Sequence, residues 1–167
     1  MTPRDPEAGF TVEIDCTVNG VRVRRAVPAR QHLVDFLRDE LELTGSHLGC
    51  EHGVCGACSV LLDGVVVRGC LTLAAQAHGK RVDTVEGLSD SGALDALQAA
   101  FARHNAAQCG YCTPGMLLTA HELLGAGRPM SRAAIREFMS GNFCRCTGYH
   151  AIVDAIAEVL ERPSSGS

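Results

Sequence analysis

The chain has 167 residues, which suits one medium domain or two small ones, and its apolar fraction of 46% is sufficient for a packed interior. A net charge of −4, the absence of tryptophan and only 4% aromatic residues argue against a nucleic-acid partner. The N-terminal sequence has no apolar signal segment, and no apolar run approaches the roughly 18–20 residues of a membrane span. We therefore predict a cytoplasmic protein without membrane insertion.

The first half of the chain has the alternation and the turn signals of β-structure. In chain order it predicts strands over 10–18 and 21–27, a helix over 32–41, strands over 59–62 and 65–70, a helical turn over 71–77 and a strand over 81–85. The dipeptides Asn19-Gly20 and Asp63-Gly64 are typical of two-residue hairpin turns, so each should join two antiparallel strands. The polar segment 86–92 is interpreted as a domain boundary.

The second half has helical spacing throughout. It predicts helices over 93–104, 114–125, 131–140 and 149–161. Thr113 and Pro114 are typical of a helix start, and Ser131 is predicted to cap the third of these helices. The residues before Phe10 and the closing PSSGS are predicted to be loose tails.

Nine cysteines in a chain without a signal segment indicate metal or redox chemistry more than disulfides. Four of them, called the first cysteine set, have the C-x4-C-x2-C spacing of plant-type ferredoxins followed by a fourth cysteine. They are Cys50, Cys55, Cys58 and Cys70. Gly49, Gly53 and Gly56 stand between them and allow backbone N–H groups to approach cluster sulfurs. Zinc knuckles prefer paired short spacings, so this set predicts a 2Fe–2S cluster.

The second cysteine set consists of two pairs that are 31 residues apart. They are Cys109, Cys112, Cys144 and Cys146. Each pair comes shortly before a predicted helix, whose unpaired N–H groups and dipole stabilise negative charge. A zinc tetrathiolate would benefit in the same way, so the spacing alone leaves zinc and 2Fe–2S open.

Three segments around these cysteines resemble the signatures of the xanthine oxidase family of molybdenum hydroxylases. They are GCEHGVCGAC at 49–58, QCGYCTPG at 108–115 and GNFCRCTGY at 141–149. The resemblance runs from about Phe10 to Glu161 in the expected order, and the chain length is similar to that of the separate small iron–sulfur subunit of bacterial enzymes. Carbon monoxide dehydrogenase and the dehydrogenases of N-heteroaromatic compounds are of this type.

The resemblance implies an α+β fold and two 2Fe–2S clusters, one on each cysteine set. Its N-terminal part would be a plant-ferredoxin-like β-grasp domain over 10–86, and its C-terminal part a four-helix bundle domain over 93–161. No substrate chemistry is expected on this chain alone. Substrate hydroxylation would belong to a large subunit with a molybdenum–pterin cofactor, and FAD to a medium subunit, in a dimer of heterotrimers.

The resemblance also implies a direction for electron transfer. Gln108 and Cys146 match the positions that approach the pterin, so the second cysteine set would receive electrons and the first set would pass them to FAD. Two other classes remain open on the residues alone. One is a free-standing two-cluster ferredoxin, and the other is an interaction module stapled by zinc.

The remaining candidates receive structural interpretations. Cys16 lies in the middle of a predicted strand and is interpreted as a buried structural thiol. His52 lies within the loop of the first cysteine set, where four cysteines already provide ligands, so we do not predict it as a ligand. Tyr111 and Tyr149 flank ligand positions and are expected to pack there, while Arg145 could either offset cluster charge or face a partner.

Overall fold

A computed structural model describes residues 10–161, so both predicted tails lie outside the described residues. The first half forms a five-stranded mixed sheet. Its strands are β1 (Thr11–Val18), β2 (Val21–Pro28), β3 (Ser59–Leu62), β4 (Val65–Arg68) and β5 (Arg81–Asp83). The spatial order is β2-β1-β5-β3-β4, in which only the β1–β5 pair is parallel.

Both predicted hairpins are confirmed. Asn19 and Gly20 have φ of 49° and 80°, and Asp63 and Gly64 have φ of 51° and 83°. A two-residue turn with positive φ at both positions matches the right-handed twist of the flanking strands. The register therefore begins at the turns, with Val18 opposite Val21 and Leu62 opposite Val65.

One helical segment covers the N-terminal sheet. It begins as α1 (Leu33–Asp35) and continues as a wider π-helical turn over Phe36–Glu40, close to the predicted helix over 32–41. Leu33, Phe36 and Leu37 are fully buried in a core that also receives apolar side chains from the sheet. Cys16 belongs to this core and is 3% exposed, which is consistent with a structural thiol.

The second half is helical, as predicted, and the α+β class is confirmed. Its helices are α2 (Val85–Asp90), α3 (Asp95–Arg103), α4 (Thr113–Gly125), α5 (Arg132–Phe138) and α6 (His150–Glu161). The Ser131 hydroxyl caps α5 by accepting the Ala134 N–H at 3.2 Å. Helices α3 and α5 pack on α6, while α4 packs on β3 and brings Leu61 into the helical core. None of the helices within residues 10–161 has the length and apolarity to cross a membrane.

Most of the segment 86–92, which is interpreted as a domain boundary, lies in helix α2. The segment is mostly polar, but the Leu88 side chain is only 7% exposed and packs in the helical core. Glu86 is also engaged, because its carboxylate accepts the Gly45 N–H at 2.7 Å and the Thr84 hydroxyl at 2.5 Å. These tertiary contacts stabilise a short helix that local propensity does not indicate.

Candidate metal centres

The first cysteine set is assembled from a loop and the end of a hairpin. Cys50, Cys55 and Cys58 lie between the π-helical turn and β3, and Cys70 follows β4. The Gly69 N–H donates to the Cys58 carbonyl oxygen at 3.0 Å, so the base of the β3–β4 hairpin holds Cys58 and Cys70 side by side. Both are almost fully buried, at 2% and 1% exposed, whereas Cys50 and Cys55 are half-buried.

Backbone hydrogen-bond donors and burial shift the pKa values of the thiols of this set in opposite directions. Hydrogen bonds from the backbone N–H groups of Cys55 and His52 lower the pKa of Cys50 to about 6. The Cys55 N–H lies 3.3 Å from the Cys50 sulfur. Burial raises the pKa of Cys58 to about 11. The half-buried side of the loop is therefore already arranged to stabilise negative charge on sulfur, as a thiolate ligand requires.

A side chain at either of two glycines of this loop would crowd neighbouring atoms, more severely at Gly56 than at Gly49. A Cβ at Gly49 would lie 3.1 Å from the Cys55 sulfur. Gly56 has φ of +74°, and a Cβ there would lie 2.8 Å from the Gly141 carbonyl oxygen. The first glycine keeps space around a thiol, and the second permits close approach between this loop and the helical half.

The second cysteine set lies at the start of two helices. Cys112 is the N-cap residue of α4, which Pro114 opens, and Cys144 and Cys146 precede α6. The Cys109 and Cys146 sulfurs are 3.5 Å apart, and both residues are exposed. Cys112 and Cys144, both half-buried, form the other neighbouring pair. The structure therefore brings the four cysteines together from segments more than 30 residues apart.

The inner pair of this set has unlike environments. Burial raises the pKa of Cys112 to about 12, and the neighbouring Cys144 thiol acts in the same direction. Burial also opposes ionisation of Cys144, but hydrogen bonds from Thr147, the Cys146 backbone and Cys112 together outweigh it and lower the pKa of Cys144. The Thr147 hydroxyl lies 3.1 Å from the Cys144 sulfur. One thiol of the pair is thus favoured as a thiolate.

Tyr149 holds the backbone next to Cys144. Its hydroxyl accepts the Cys144 N–H at 2.9 Å and donates to the Asn142 carbonyl oxygen at 3.2 Å. Sequence reasoning expected packing at this position, and the structure adds two hydrogen bonds that shape the ligand turn.

The two cysteine sets meet at a junction formed by Cys55, Gly56, Asn142 and Phe143. The Phe143 N–H donates to the Cys55 carbonyl oxygen at 2.8 Å. Asn142 is 2% exposed, and its amide donates to the Gly56 carbonyl oxygen at 3.3 Å while accepting the Thr119 hydroxyl at 3.1 Å. The residue before Cys144 therefore makes a direct backbone hydrogen bond to a cysteine of the first set.

Tyr111 makes a second connection between the sets. It lies between Cys109 and Cys112, and its hydroxyl donates to the Leu48 carbonyl oxygen at 2.7 Å. His47 stacks on its ring at a centroid distance of 4.6 Å, and the His47 Nδ1–H donates to the Tyr111 carbonyl oxygen at 2.7 Å. This partly exposed tyrosine has a defined polar role that the sequence did not indicate.

The other predicted site residues lie at the surface. Gln108 and Arg145 are exposed beside Cys109 and Cys146, so the second set opens to solvent at this end. His52 is also exposed, and its Nδ1–H donates to the Cys50 carbonyl oxygen. The His52 ring is therefore hydrogen-bonded to the backbone of a cysteine of the first set.

The cysteines fit a two-iron cluster. All nine are free thiols, and eight of them lie in the two sets. In the second set they form two neighbouring pairs, Cys109 with Cys146 and Cys112 with Cys144. Such pairs match a two-iron core, in which each iron takes two cysteines.

Two known families match the two halves of the chain. Residues 16–89 match the 2Fe-2S iron-sulfur cluster binding domain, and residues 84–157 match the 2Fe-2S binding domain. The matches overlap only over residues 84–89, which are Thr84 and most of α2. The chain therefore carries two 2Fe–2S-binding domains.

Close relatives span nearly the whole chain. It is 56% identical over 153 residues to the nicotine 6-hydroxylase small subunit of Paenarthrobacter nicotinovorans, covering 92% of each chain. It is 53% identical over 149 residues to the caffeine dehydrogenase subunit gamma of Pseudomonas sp. (strain CBB1), covering 87% of this chain and 89% of that subunit.

Solved structures have the same fold. A chain of quinoline 2-oxidoreductase from Pseudomonas putida 86 is 52% identical, with a TM-score of 0.86 over 90% of this chain and 94% of that one. The aldehyde oxidoreductase of Desulfovibrio gigas is 42% identical, with a TM-score of 0.82 over 89% of this chain but only 17% of that longer chain. From these similarities and the two domain matches, we conclude that the chain belongs to the small iron–sulfur subunits of the xanthine oxidase family of molybdenum hydroxylases.

Proposed function

We propose that this chain relays electrons from a molybdenum–pterin centre on a large partner subunit, through two 2Fe–2S clusters, to FAD on a medium subunit. The observation that carries this proposal is the junction, where the Phe143 N–H meets the Cys55 carbonyl oxygen at 2.8 Å between two sets of four free cysteines. When bound, each 2Fe–2S cluster accepts and releases one electron at a time.

The proposed ligands are the two cysteine sets. Cys50, Cys55, Cys58 and Cys70 would hold one cluster, and Cys109, Cys112, Cys144 and Cys146 the other. Support comes from the pairing of the thiols and from the donors that already surround Cys50 and Cys144. Such N–H···S and O–H···S contacts tune cluster potentials, so the two unlike environments should give two distinct potentials.

The surface around the second set suggests where electrons enter. Cys109 and Cys146 are exposed, with Gln108 beside them, whereas Cys58 and Cys70 of the first set are buried. We place the pterin-facing end at Gln108 and Cys146, and the flavin-facing end near the half-buried Cys50 and Cys55. Electrons would then cross the junction from the second set to the first.

The organisation of the chain belongs to the same proposal. The two domains would span 10–86 and 93–161, and the helices of the second would form a four-helix bundle. The overlapping family matches support a division near α2. In the aldehyde oxidoreductase the equivalent fold is a minor part of a longer chain, so there it works beside larger domains. This supports a function beside larger partner subunits for the present chain. We propose a cytoplasmic dimer of heterotrimers as that assembly.

The test is purification of the native complex, followed by metal analysis and EPR spectroscopy. We expect two larger chains to co-migrate with this one, two irons and two acid-labile sulfides per cluster, and two different 2Fe–2S signals after reduction. Migration as a monomer with both signals would instead indicate a free-standing two-cluster ferredoxin. Zinc in place of iron in either cysteine set would contradict the proposal.

A further inference from the structure

Arg68 connects chain segments that belong to both cysteine sets. It ends β4, two residues before Cys70, and it is half-buried. Its Nη1 donates to the Ser59 hydroxyl at 2.6 Å, and its Nη2 donates to the Gly141 carbonyl oxygen at 2.7 Å. Ser59 follows Cys58 directly, and Gly141 begins the turn that leads to Cys144.

The surroundings of this guanidinium include a glycine and a buried hydroxyl. A Cβ on Gly141 would lie 2.8 Å from the Arg68 Nη2, so the absence of a side chain there makes space for the guanidinium. Ser59 is 1% exposed, and its hydroxyl also donates to the Gly56 carbonyl oxygen at 2.7 Å. The Arg68 guanidinium is therefore hydrogen-bonded to the same buried polar network that includes the junction.

The charge of Arg68 has no carboxylate partner within residues 10–161. Its acceptors are a hydroxyl, a carbonyl and, at 3.5 Å, the Asn142 amide oxygen. Some arginines of the chain pair with acids at close range, such as Arg22 with Asp15 and Arg81 with Asp83, whereas Arg68 has no such partner in the described part of the chain. A guanidinium carries a permanent positive charge, and no ion pair among the described residues neutralises this one. Its charge therefore stabilises negative charge on neighbouring groups.

We propose that the positive charge of Arg68 raises the reduction potentials of both clusters together. The inference rests on the proposed function, since it assumes that the two cysteine sets hold the clusters. Reduction adds one negative charge to a cluster, and a fixed cation that is partly shielded from water stabilises that charge. A single guanidinium between the Ser59 and Gly141 segments would act on both clusters, whereas the hydrogen bonds around each set act on one.

The experiment is an EPR-monitored redox titration of the holoprotein and its variants. We expect R68Q and R68M to lower both midpoint potentials and R68K to restore most of the loss, because lysine keeps the charge but not the forked hydrogen bonds. The matched control is R25Q, which removes one positive charge from β2, at the opposite edge of the sheet from β4. It should leave both potentials unchanged.

Each outcome decides the inference. Unchanged potentials in R68Q, a shift of only one cluster, or an equal shift in R68K and R68Q would overturn it. If R68Q and R68M both lose their clusters, R68K becomes the deciding variant. Clusters retained in R68K with near-native potentials would support the role of the positive charge. Loss of the clusters in R68K as well would assign Arg68 a purely structural role and overturn the inference. Failure of the proposed function is distinguishable, because it would appear as missing 2Fe–2S signals in the unsubstituted protein.

Discussion

Phe143 and Cys55 are joined by a backbone hydrogen bond of 2.8 Å across 88 residues of sequence. Phe143 precedes Cys144, so the bond leads from one cysteine set to the other through a single N–H···O contact. Gly56 and Asn142 flank it and add a second hydrogen bond at 3.3 Å. This junction connects the two cysteine sets directly, and it indicates where substitutions should matter.

Replacement of Cys70 by alanine should remove the cluster of the first set and leave the second. We expect the iron content to fall by about half, since each cluster holds two irons, and one of two EPR signals to disappear. The control is Cys16→Ala, which changes an equally buried thiol outside both sets. It should keep all the iron and lose about 1 kcal/mol of stability through a small cavity. Loss of iron in C16A, or two intact signals in C70A, would contradict the ligand assignment.

Replacement of Gly56 by alanine should destabilise the protein more than the same change at Gly64. Both residues have positive φ, at +74° and +83°, so both variants incur backbone strain of about 1 kcal/mol or more. Only at Gly56 does the new Cβ meet other atoms, those of Asn142 and Gly141. The thermal midpoint should fall by about 2–4 °C per kcal/mol, with the larger drop in G56A. Equal midpoints would mean that the junction tolerates a side chain.

The Tyr149 hydroxyl should contribute more stability than the Tyr111 hydroxyl. In Tyr149→Phe, the Cys144 N–H loses its acceptor and the Asn142 carbonyl loses a donor, which costs about 1–3 kcal/mol for partly buried groups. In Tyr111→Phe, one exposed hydrogen bond to Leu48 is replaced by water, at a cost below about 1 kcal/mol. Thermal denaturation of the two holoproteins measures the difference. A larger loss in Y111F would reverse the order predicted here.

Asp15 should make the stability of the sheet edge depend on pH. Hydrogen bonds from Arg22, at 2.7 Å, and then Arg24 hold the pKa of Asp15 well below its usual range, against the opposing effect of burial. A lowered folded-state pKa gives stability that is complete above the ordinary carboxyl pKa of about 3.9 and is lost as the pH falls towards the folded-state value.

Replacement of Asp15 by asparagine should therefore lower the thermal midpoint at pH 7, and the difference from the unsubstituted protein should shrink below about pH 4. The effect should also weaken at high salt, because the ion pairs are exposed. Asp39→Asn is the control, since Asp39 is exposed and outside every ion pair of residues 10–161. A pH-independent difference between D15N and the unsubstituted protein would rule out this role of Asp15.

Local signals in the sequence were sufficient for both hairpins and for helices α3 to α6, and the cysteine motifs were sufficient for the family. Asn19-Gly20 and Asp63-Gly64 predict their hairpins because positive φ at two adjacent residues is a local backbone preference. Ser131 predicts a helix start for a similar reason, since its hydroxyl bonds a backbone N–H only three residues away. The spacing of the first cysteine set is also local and predicts a 2Fe–2S cluster, whereas the second set, whose pairs are 31 residues apart, required the resemblance of its flanking segments.

Only the tertiary structure decided how the two sets are joined. The contacts of Cys55 with Phe143, of Tyr111 with Leu48 and of Arg68 with Gly141 link residues more than 60 positions apart. No periodicity or turn signal encodes such pairs, because they exist only once β3, α4 and the Cys144 turn are packed together. The same holds for α2, where burial of Leu88 makes a helix of a segment whose composition indicates a linker. The sequence alone therefore determined which cysteines form each candidate set, because the motifs are read along the chain, and packing determined which residues bring the sets together.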